Sequence, residues 1–540
     1  MTDATTRPAE SLPTWAPLRR KAFRALWTAQ FVANIGTWAQ TVGAQWLMGD
    51  LGGGKLAIAL VQTAGTLPVF LLVVPSGALG DILDRRRLLL GGQTLMLIAA
   101  AGLALLTAAG RTTPAWLLGM TALLGVGQAL SMPSFQAIQP ELVSREELPQ
   151  AALLNGANVN VARAVGPALG GALIAAFGAG AAFAFNALSF LGVLVVLYVW
   201  PRPPDHRPLG AEHIRGALRA GARYIRSAPQ FATVLARSSL FMLFASGLWA
   251  LLPAVARTSL NMGPDGYGLL LGSVGIGAVT GAFVVSRLRA RWGTNVVVTA
   301  AMLAYAAAMV VVGLADSPAP AIAALLVAGL AWIAVQSTLN ATAQILLPAW
   351  TRARALAYFQ LVFMGGQALG GVGWGAVAEA VSLSAAFLVP AACLVLATLV
   401  SIRALPLPET REDFSGARWW DEPPSLVGPD SDVGPVLVTV RWEVDPADAA
   451  AFVRAMRPVG RSRRRTGATL WGLFRDAEDP TQFMETFTVP TWYEHLRQHL
   501  ERGTVMDQEL ELAARSLAKG PPRVNHFVWA DPAHFEDDSS

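Results

Sequence analysis

The sequence predicts an all-α polytopic membrane protein with twelve transmembrane helices in two related six-helix halves, followed by a smaller α+β domain. Three observations predict it. Of the 540 residues, 54% are hydrophobic and 14% charged, with a mean hydropathy of +0.45, so the average residue is better placed in an apolar medium than in water. Apolar runs longer than ordinary core helices recur as far as residue 404, separated by short polar turns. One half also echoes the other. Gly166-Pro-Ala-Leu-Gly-Gly171 returns as Gly366-Gln-Ala-Leu-Gly-Gly371, Gln136-Ala-Ile-Gln-Pro140 as Gln344-Ile-Leu-Leu-Pro348, and Ala182-Phe183 as Ala386-Phe387. An even number of spans per half makes the repeat parallel, about an axis along the membrane normal, with a cavity between the halves near mid-membrane.

Along the chain, a polar segment (1–21) ends in the basic cluster Arg19, Arg20, Lys21 and Arg24. The first bundle (22–200) has spans expected at 25–48, 56–80, 88–109, 116–137, 151–178 and 182–200. A linker (201–230) follows, in which Arg215, Arg219, Arg223 and Arg226 recur at helical spacing beside Ile214, Leu218, Ala222 and Ile225. That pattern predicts a basic amphipathic helix on the membrane surface. The second bundle (231–404) has spans at 232–256, 267–286, 294–314, 320–341, 356–380 and 385–404. A proline-rich linker (405–434) leads to a domain at 435–530 and an acidic tail at 531–540. In that domain, strands at 436–443, 469–474, 483–489 and 524–529 and helices at 446–457 and 492–517 give the order βαββαβ, which is ferredoxin-like.

Arginine placement orients the chain. The amino terminus, Arg85 to Arg87, Arg145, the linker, Arg287 to Arg291, Arg352, Arg354 and Arg403 fall on one side, against Lys55, Arg111 and Arg257 on the other. Both termini and the linker are therefore expected in the cytoplasm, and the protein in the cytoplasmic (inner) membrane with the lipid bilayer as solvent. The same bias accounts for the net charge of +5, so nucleic acid is not an expected partner. The lone Cys393 excludes an intramolecular disulfide. The first 20 residues lack the short apolar core of a removable signal peptide.

Between the second and third spans lies Gly77-Ala-Leu-Gly-Asp81-Ile-Leu-Asp84-Arg85-Arg86-Arg87. A compact charged turn between two membrane-length apolar runs is either a positive-inside loop that only sets orientation or a gating element. It resembles the signature turn of the major facilitator superfamily. Gly77, Leu79, Asp81, Arg85 and Arg86 match the signature, and Asp84 replaces the usual second glycine, as in the enterobactin-exporter branch. The resemblance implies two bundles rocking about a shared cleft, with Asp81, Arg85, Arg86 and Gly77 forming a cytoplasmic gate in which Asp81 pairs with arginine across the halves. In the fifth span, Gly166, Pro167, Gly170 and Gly171 resemble the glycine-proline seam of exporting antiporters. Proline removes an amide donor and glycines admit a facing helix, so the residues form either a leak-proof seam or ordinary packing. The resemblance further implies proton-driven antiport. No coupling residue is assigned, because all six histidines lie outside the spans and Asp50 and Glu379 sit at their outer ends.

Six polar residues are expected to face the cavity: Arg163, Asn34, Gln40, Asn160, Gln336 and Asn340. Lipid offers none of them a hydrogen-bond partner. Arg163, midway along its span, either bonds carbonyls of the fourth span or contacts substrate. Trp38, Trp46 and Trp332 could stack on a ring-bearing solute. In the C-terminal domain, which resembles antibiotic-biosynthesis monooxygenases at Thr491-Trp-Tyr-Glu-His-Leu-Arg-Gln-His499 and Arg523-Val-Asn-His526, the polar set is Trp492, His495, His499, Asn525 and His526. His495 and His499 stand one helical turn apart, but no third ligand has evident spacing, so no metal and no cofactor is expected. The run Arg461 to Arg465 reads as a solvated or lipid-facing edge. The combined expectation is a secondary transporter, not an enzyme, that exports a small amphipathic siderophore or drug-like molecule, with the C-terminal domain as a dimerisation or regulatory appendage. The competing expectation is a membrane-held monooxygenase fed by the bundle.

Overall fold

The computed structural model describes residues 13–82, 84–200, 228–348, 351–408, 413, 415–417 and 433–530. The expected linker helix with Arg215, Arg219, Arg223 and Arg226, and the acidic tail, lie outside the described residues. Contacts divide the chain into two compact units: a helical bundle ending at Leu407, and a second unit holding the C-terminal residues together with short stretches at 228–234 and 341–356.

The bundle's first half comprises α1 (Lys21–Asp50), α2 (Lys55–Ile82), α3 (Arg85–Ala108), α4 (Pro114–Leu142), α5 (Leu148–Phe177) and α6 (Ala179–Val199). The second half comprises α7 (Pro229–Ala254, continued by a π-turn over Val255–Ser259), α8 (Pro264–Trp292), α9 (Thr294–Leu314), α10 (Pro318–Ile345), α11 (Arg352–Ala380) and α12 (Ala385–Ala404). Among the described residues, the eleven helices from α2 to α12 are long and apolar enough to cross a membrane. Helix α1 is equally long but more polar, carrying Gln30, Asn34, Gln40 and Gln45, and it packs among the others against α5 and α6.

Local chemistry sets the helix ends. Asp84, the residue in place of the usual glycine, caps α3 by accepting from Arg87 N at 2.8 Å. Thr113 caps α4 ahead of Pro114, whose missing amide is no loss at the first position. Gly178, at φ +80°, closes α5 and opens α6 in a single residue. Within α7, Pro253 cannot donate to the Trp249 carbonyl four residues back. The Gln45 side-chain amide of α1 donates to that carbonyl instead, at 3.4 Å, and the last turn of α7 relaxes into π geometry. The packing core of the first half lies where α1, α3, α4, α5 and α6 meet, around Phe23, Leu26, Leu89, Leu154, Phe190 and Leu197.

The second unit carries β1 (Val436–Glu443), α13 (Ala449–Thr466), β2 (Leu470–Arg475), β3 (Gln482–Val489), α14 (Trp492–Leu500), α15 (Val505–Arg515) and β4 (Arg523–Val528). The strands form an antiparallel sheet of order β2-β3-β1-β4. Residues alternate along β1, so that Val436, Val438, Val440 and Trp442 are buried. They pack with Phe452, Met456, Phe483, Phe487 and Trp492.

Three sequence expectations for this unit need correction. Helix α13 does not stop near Arg457 but runs past Pro458 to Thr466. The single helix expected at 492–517 is two, because Thr504 and Asp507 form a capping box that starts a new helix at Val505. The run Arg461 to Arg465 is not wholly a solvated edge. Arg463 pairs with Glu485 at 3.0 Å and Glu511 at 3.1 Å, and Arg465 pairs with Asp507, both arginines being buried. Acids supplied by β3 and α15 neutralise them, which allows the helix to turn two of its arginines inward.

Candidate functional site

The repeated glycine motif occupies equivalent places in the two halves. In α5, Gly166 and Gly170 face α1 of the same half: a Cβ on Gly166 would lie 2.6 Å from Trp38 Cβ, and one on Gly170 2.6 Å from Ala39 Cα. Gly171 faces α8 of the other half, where a Cβ would lie 2.7 Å from Pro264 O and 3.0 Å from Gly268 Cα. In α11, Gly366 and Gly370 face Met242 and Leu243 of α7, while Gly371 faces Thr63 of α2 across the halves. The first and fifth positions of the motif thus pack each half internally, and the sixth joins the halves. Pro167 adds to the seam. It has no amide for the Arg163 carbonyl, and that carbonyl lies against Gly275 of α8, where a Cβ would come within 2.8 Å.

From mid-bundle toward the end carrying Asp50, further contacts join the halves. Gln45 accepts from the Tyr267 hydroxyl, and Trp46 stacks on Tyr267 at 6.4 Å. Asp50 pairs with Arg257, whose guanidinium also lies 4.8 Å from the centroid of the Trp46 ring. Lys55 Nζ donates to Ala378 O at 3.2 Å, Leu56 N to Glu379 Oε2 at 3.4 Å, and Thr63 Oγ1 to Ala368 O at 3.2 Å. The two outer acids noted in the sequence are therefore both engaged between the halves.

An aromatic chain also crosses from one half to the other. Trp38 of α1 lies 5.9 Å from Trp249 of α7, Trp249 5.0 Å from Trp332 of α10, and Trp332 6.0 Å from Phe363 of α11. Arg163 reaches this chain from α5, its guanidinium 5.9 Å from the Trp38 ring. Its Nη1 is buried with no hydrogen-bond partner among the described residues. On α10, one turn from Trp332, Gln336 has a buried Oε1 in the same condition. Asn160 and Asn340 are half-buried on α5 and α10.

Two other amides read as cavity-facing are placed differently. Gln40, at 3% exposure, accepts from Asn186 of α6 inside the first half, while its Nε2 is buried with no hydrogen-bond partner among the described residues. Asn34 joins an internal ladder, accepting from Gln30 at 3.1 Å and donating to Asn158 at 2.9 Å. Asn34 thus has partners for both its oxygen and its nitrogen, whereas Gln40 has one for its oxygen alone.

At the charged turn, the side chains of Gly77 to Asp81 lie outside the described residues. Arg85 pairs with Glu141 of α4 at 3.3 Å. Arg86 donates to the Leu197 and Tyr198 carbonyls at 2.8 and 2.6 Å, capping the end of α6. These contacts hold α3, α4 and α6 together within one half.

In the second unit, His526 of β4 meets the α14 pair, and the donor nitrogens of His495, His499 and His526 lie within 4.8 Å of one another. Burial, with each other's proximity, pulls His495 down to about 2 and His499 to about 3, and burial lowers His526, so all three rings are neutral at pH 7. Asn525 pairs with Thr439 in the sheet register and points to the opposite face from His526.

Residues that the sequence reading missed are Trp249, Tyr267 and Phe363, together with the pairing of Asp50 with Arg257. Only that pair left a signal, because each residue follows the first span of its half. His526 was named in the polar set, but its meeting with the α14 pair comes from strand order.

The family described as transmembrane secretion effector, within the major facilitator (MFS) group, matches residues 12–533. An uncharacterized MFS-type transporter of Bacillus subtilis, YfiS, is 25% identical over 414 residues, covering 73% of this chain and 95% of its own. The enterobactin exporter EntS of Shigella boydii is 28% identical over 272 residues, 49% of this chain and 64% of the relative, so the match spans under two thirds of that exporter. Among solved structures, a POT family transporter in complex with 5-aminolevulinic acid superposes with a TM-score of 0.59 at 15% identity, over 72% of this chain and 96% of that one. This last likeness is one of fold.

Proposed function

Because the chain belongs to the transmembrane secretion effector family of the major facilitator superfamily, and so is a membrane transporter and not an enzyme, we propose that it exports a small amphipathic molecule of siderophore or drug-like character by alternating access. Arg163 carries the reading. A guanidinium in the middle of an apolar span, with one nitrogen unpartnered and its face on Trp38, supports recognition of a ring-bearing solute with an acidic or accepting group. The aromatic chain from Trp38 to Phe363 spans both halves, so such a solute would be gripped by each. A relative named as an enterobactin exporter favours the siderophore side of this range.

In this reading α1 is a twelfth span, both termini are cytoplasmic, and the protein sits in the inner membrane. The contacts at Asp50, Lys55, Arg257 and Glu379 then close the outer face, which makes the observed state inward-facing. Gly77, Asp81, Arg85 and Arg86 gate the cytoplasmic face in the alternate state, Arg85 and Arg86 exchanging their present partners for ones across the cleft. Export is proton antiport. The sheet order of the C-terminal unit supports a ferredoxin-like domain that serves as a dimerisation or regulatory appendage.

Inverted membrane vesicles with an acid interior are expected to accumulate a fluorescent catecholate siderophore or anionic aromatic dye, and a protonophore should abolish the uptake. Uptake indifferent to the protonophore would exclude antiport. Asp81→Asn should reduce uptake severalfold at unchanged abundance, and a wild-type rate would remove the gating role. A second expectation concerns the outer closure. The Asp50–Arg257 pair is part-exposed and contributes about 1 kcal/mol or less, a several-fold population change. In a Cys393→Ser background, Arg257→Gln should raise labelling of Thr63→Cys by an impermeant maleimide about two- to fivefold. Equal labelling would show that the pair is not a latch.

A further inference from the structure

The three imidazoles of the C-terminal unit converge from two elements. His495 and His499 stand one turn apart on α14. His526 is on the edge strand β4, in register with the buried Val438 of β1, and so turns toward the helices. Ring centroids lie 4.6 Å apart for His495 and His499, and 4.8 Å for His495 and His526. Trp492 covers the group, edge-on to His526 at 5.9 Å and tilted on His495 at 5.5 Å. From this convergence we propose that His495, His499 and His526 bind one divalent transition-metal ion of the Zn²⁺ type.

Two considerations support the site. His495 is 0% exposed, and neither of its ring nitrogens has a hydrogen-bond partner among the described residues; His526 Nε2 is buried in the same way. Buried polar atoms left unpaired cost free energy, and a metal ion supplies the missing partner. The donor set is all nitrogen, which favours Zn²⁺, Co²⁺, Ni²⁺ or Cu²⁺ over the oxygen-seeking Ca²⁺ and Mg²⁺.

Nitrogens around a tetrahedral ion at about 2.0–2.1 Å stand about 3.4 Å apart. The present spread of up to 4.8 Å therefore closes by small side-chain rotations. Three protein donors leave a fourth position for water or an outside ligand, and the ion would tie β4 to α14.

The test uses the full-length, tag-free chain in detergent, dialysed against a chelator. Titration with Zn²⁺ in competition with a chromophoric chelator should show one ion per chain with a submicromolar Kd. Co²⁺ should give the intense visible bands of a four-coordinate site. His526→Asn, on the half-buried edge strand, and His499→Gln should each weaken Zn²⁺ by more than about tenfold, the loss that a change outside the ligand shell already brings. Absence of the four-coordinate Co²⁺ spectrum in the wild-type chain would overturn the proposal, as would Zn²⁺ binding that survives His495→Gln/His499→Gln/His526→Asn.

Discussion

Replacing Arg463 with leucine is expected to destabilise the C-terminal unit by about 3–5 kcal/mol, the largest single-residue effect on its stability that these contacts support. Arg463 projects from α13 between β3 and α15, where Nε donates to Glu485 Oε1 at 3.0 Å and Nη1 meets Glu511 Oε2 at 3.1 Å. Its guanidinium also lies 5.2 Å from the Phe487 ring. Burial alone would pull its pKa down, but Glu485 and Glu511 outweigh burial and raise it, so the side chain is a cation at every accessible pH. Leucine would take the Arg463 charge away from two carboxylates, one of them, Glu485, fully buried. The remaining bond from Trp471 Nε1 to Glu485, at 3.0 Å, is a neutral donor and does not replace a charge. Thermal unfolding followed by proteolysis of the C-terminal unit should show a midpoint lower by more than about 10 °C. The double variant Arg463→Leu/Glu485→Leu should recover much of that loss, because an apolar pair avoids the desolvation cost. A midpoint within about 2 °C of wild type for the single variant would show that the network does not hold the unit together.

That network also shows where the sequence stopped being legible. Membrane-length apolar runs are a one-dimensional signal, and α9 and α12 begin and end where the hydropathy places them, at Thr294–Leu314 and Ala385–Ala404. The strands of the second unit were legible for the same reason: period-two alternation is local, and β1 follows it through all eight residues. A run of arginines is ambiguous because its partners lie far away in sequence. Arg463 meets Glu485 and Glu511, and nothing near Arg463 announces either acid. The expected helix ended at 457, yet α13 continues through Pro458 and carries the arginines inward. The amides show the same limit. An amide in an apolar span must find a partner, but only packing decides whether that partner is a cavity or Asn186 of the next helix, as for Gln40. The glycine motif was legible as a repeat, whereas the division of labour among its glycines needed the helix partners.

That division sets up the second large effect. Gly171→Leu is expected to abolish most export while leaving each half folded, and Gly170→Leu to do the reverse damage, though the two positions are adjacent. A side chain at Gly170 meets Ala39 Cα, the backbone of a helix in its own half, with no room to yield. The misfit is then built into the half itself, so overpacking of about 1–3 kcal/mol or more should appear as reduced abundance and a lower melting midpoint. At Gly171 the obstacle is Pro264 O and Gly268 Cα of α8, across the halves. The clash can be relieved by moving one half away from the other, and the same energy then becomes a shift of a two-state equilibrium by about 5- to 150-fold. Gly371, the equivalent position, faces the Thr63 hydroxyl and not backbone, a side chain that can rotate away, so Gly371→Leu should be milder than Gly171→Leu. Export from inverted vesicles, paired with melting midpoints in detergent, separates the cases. Gly171→Leu should export more than tenfold more slowly with a nearly unchanged midpoint, by the population shift above. Wild-type export by Gly171→Leu at wild-type abundance would mean that the α5–α8 seam does not move during transport, and the rocking of two rigid halves would have to be abandoned.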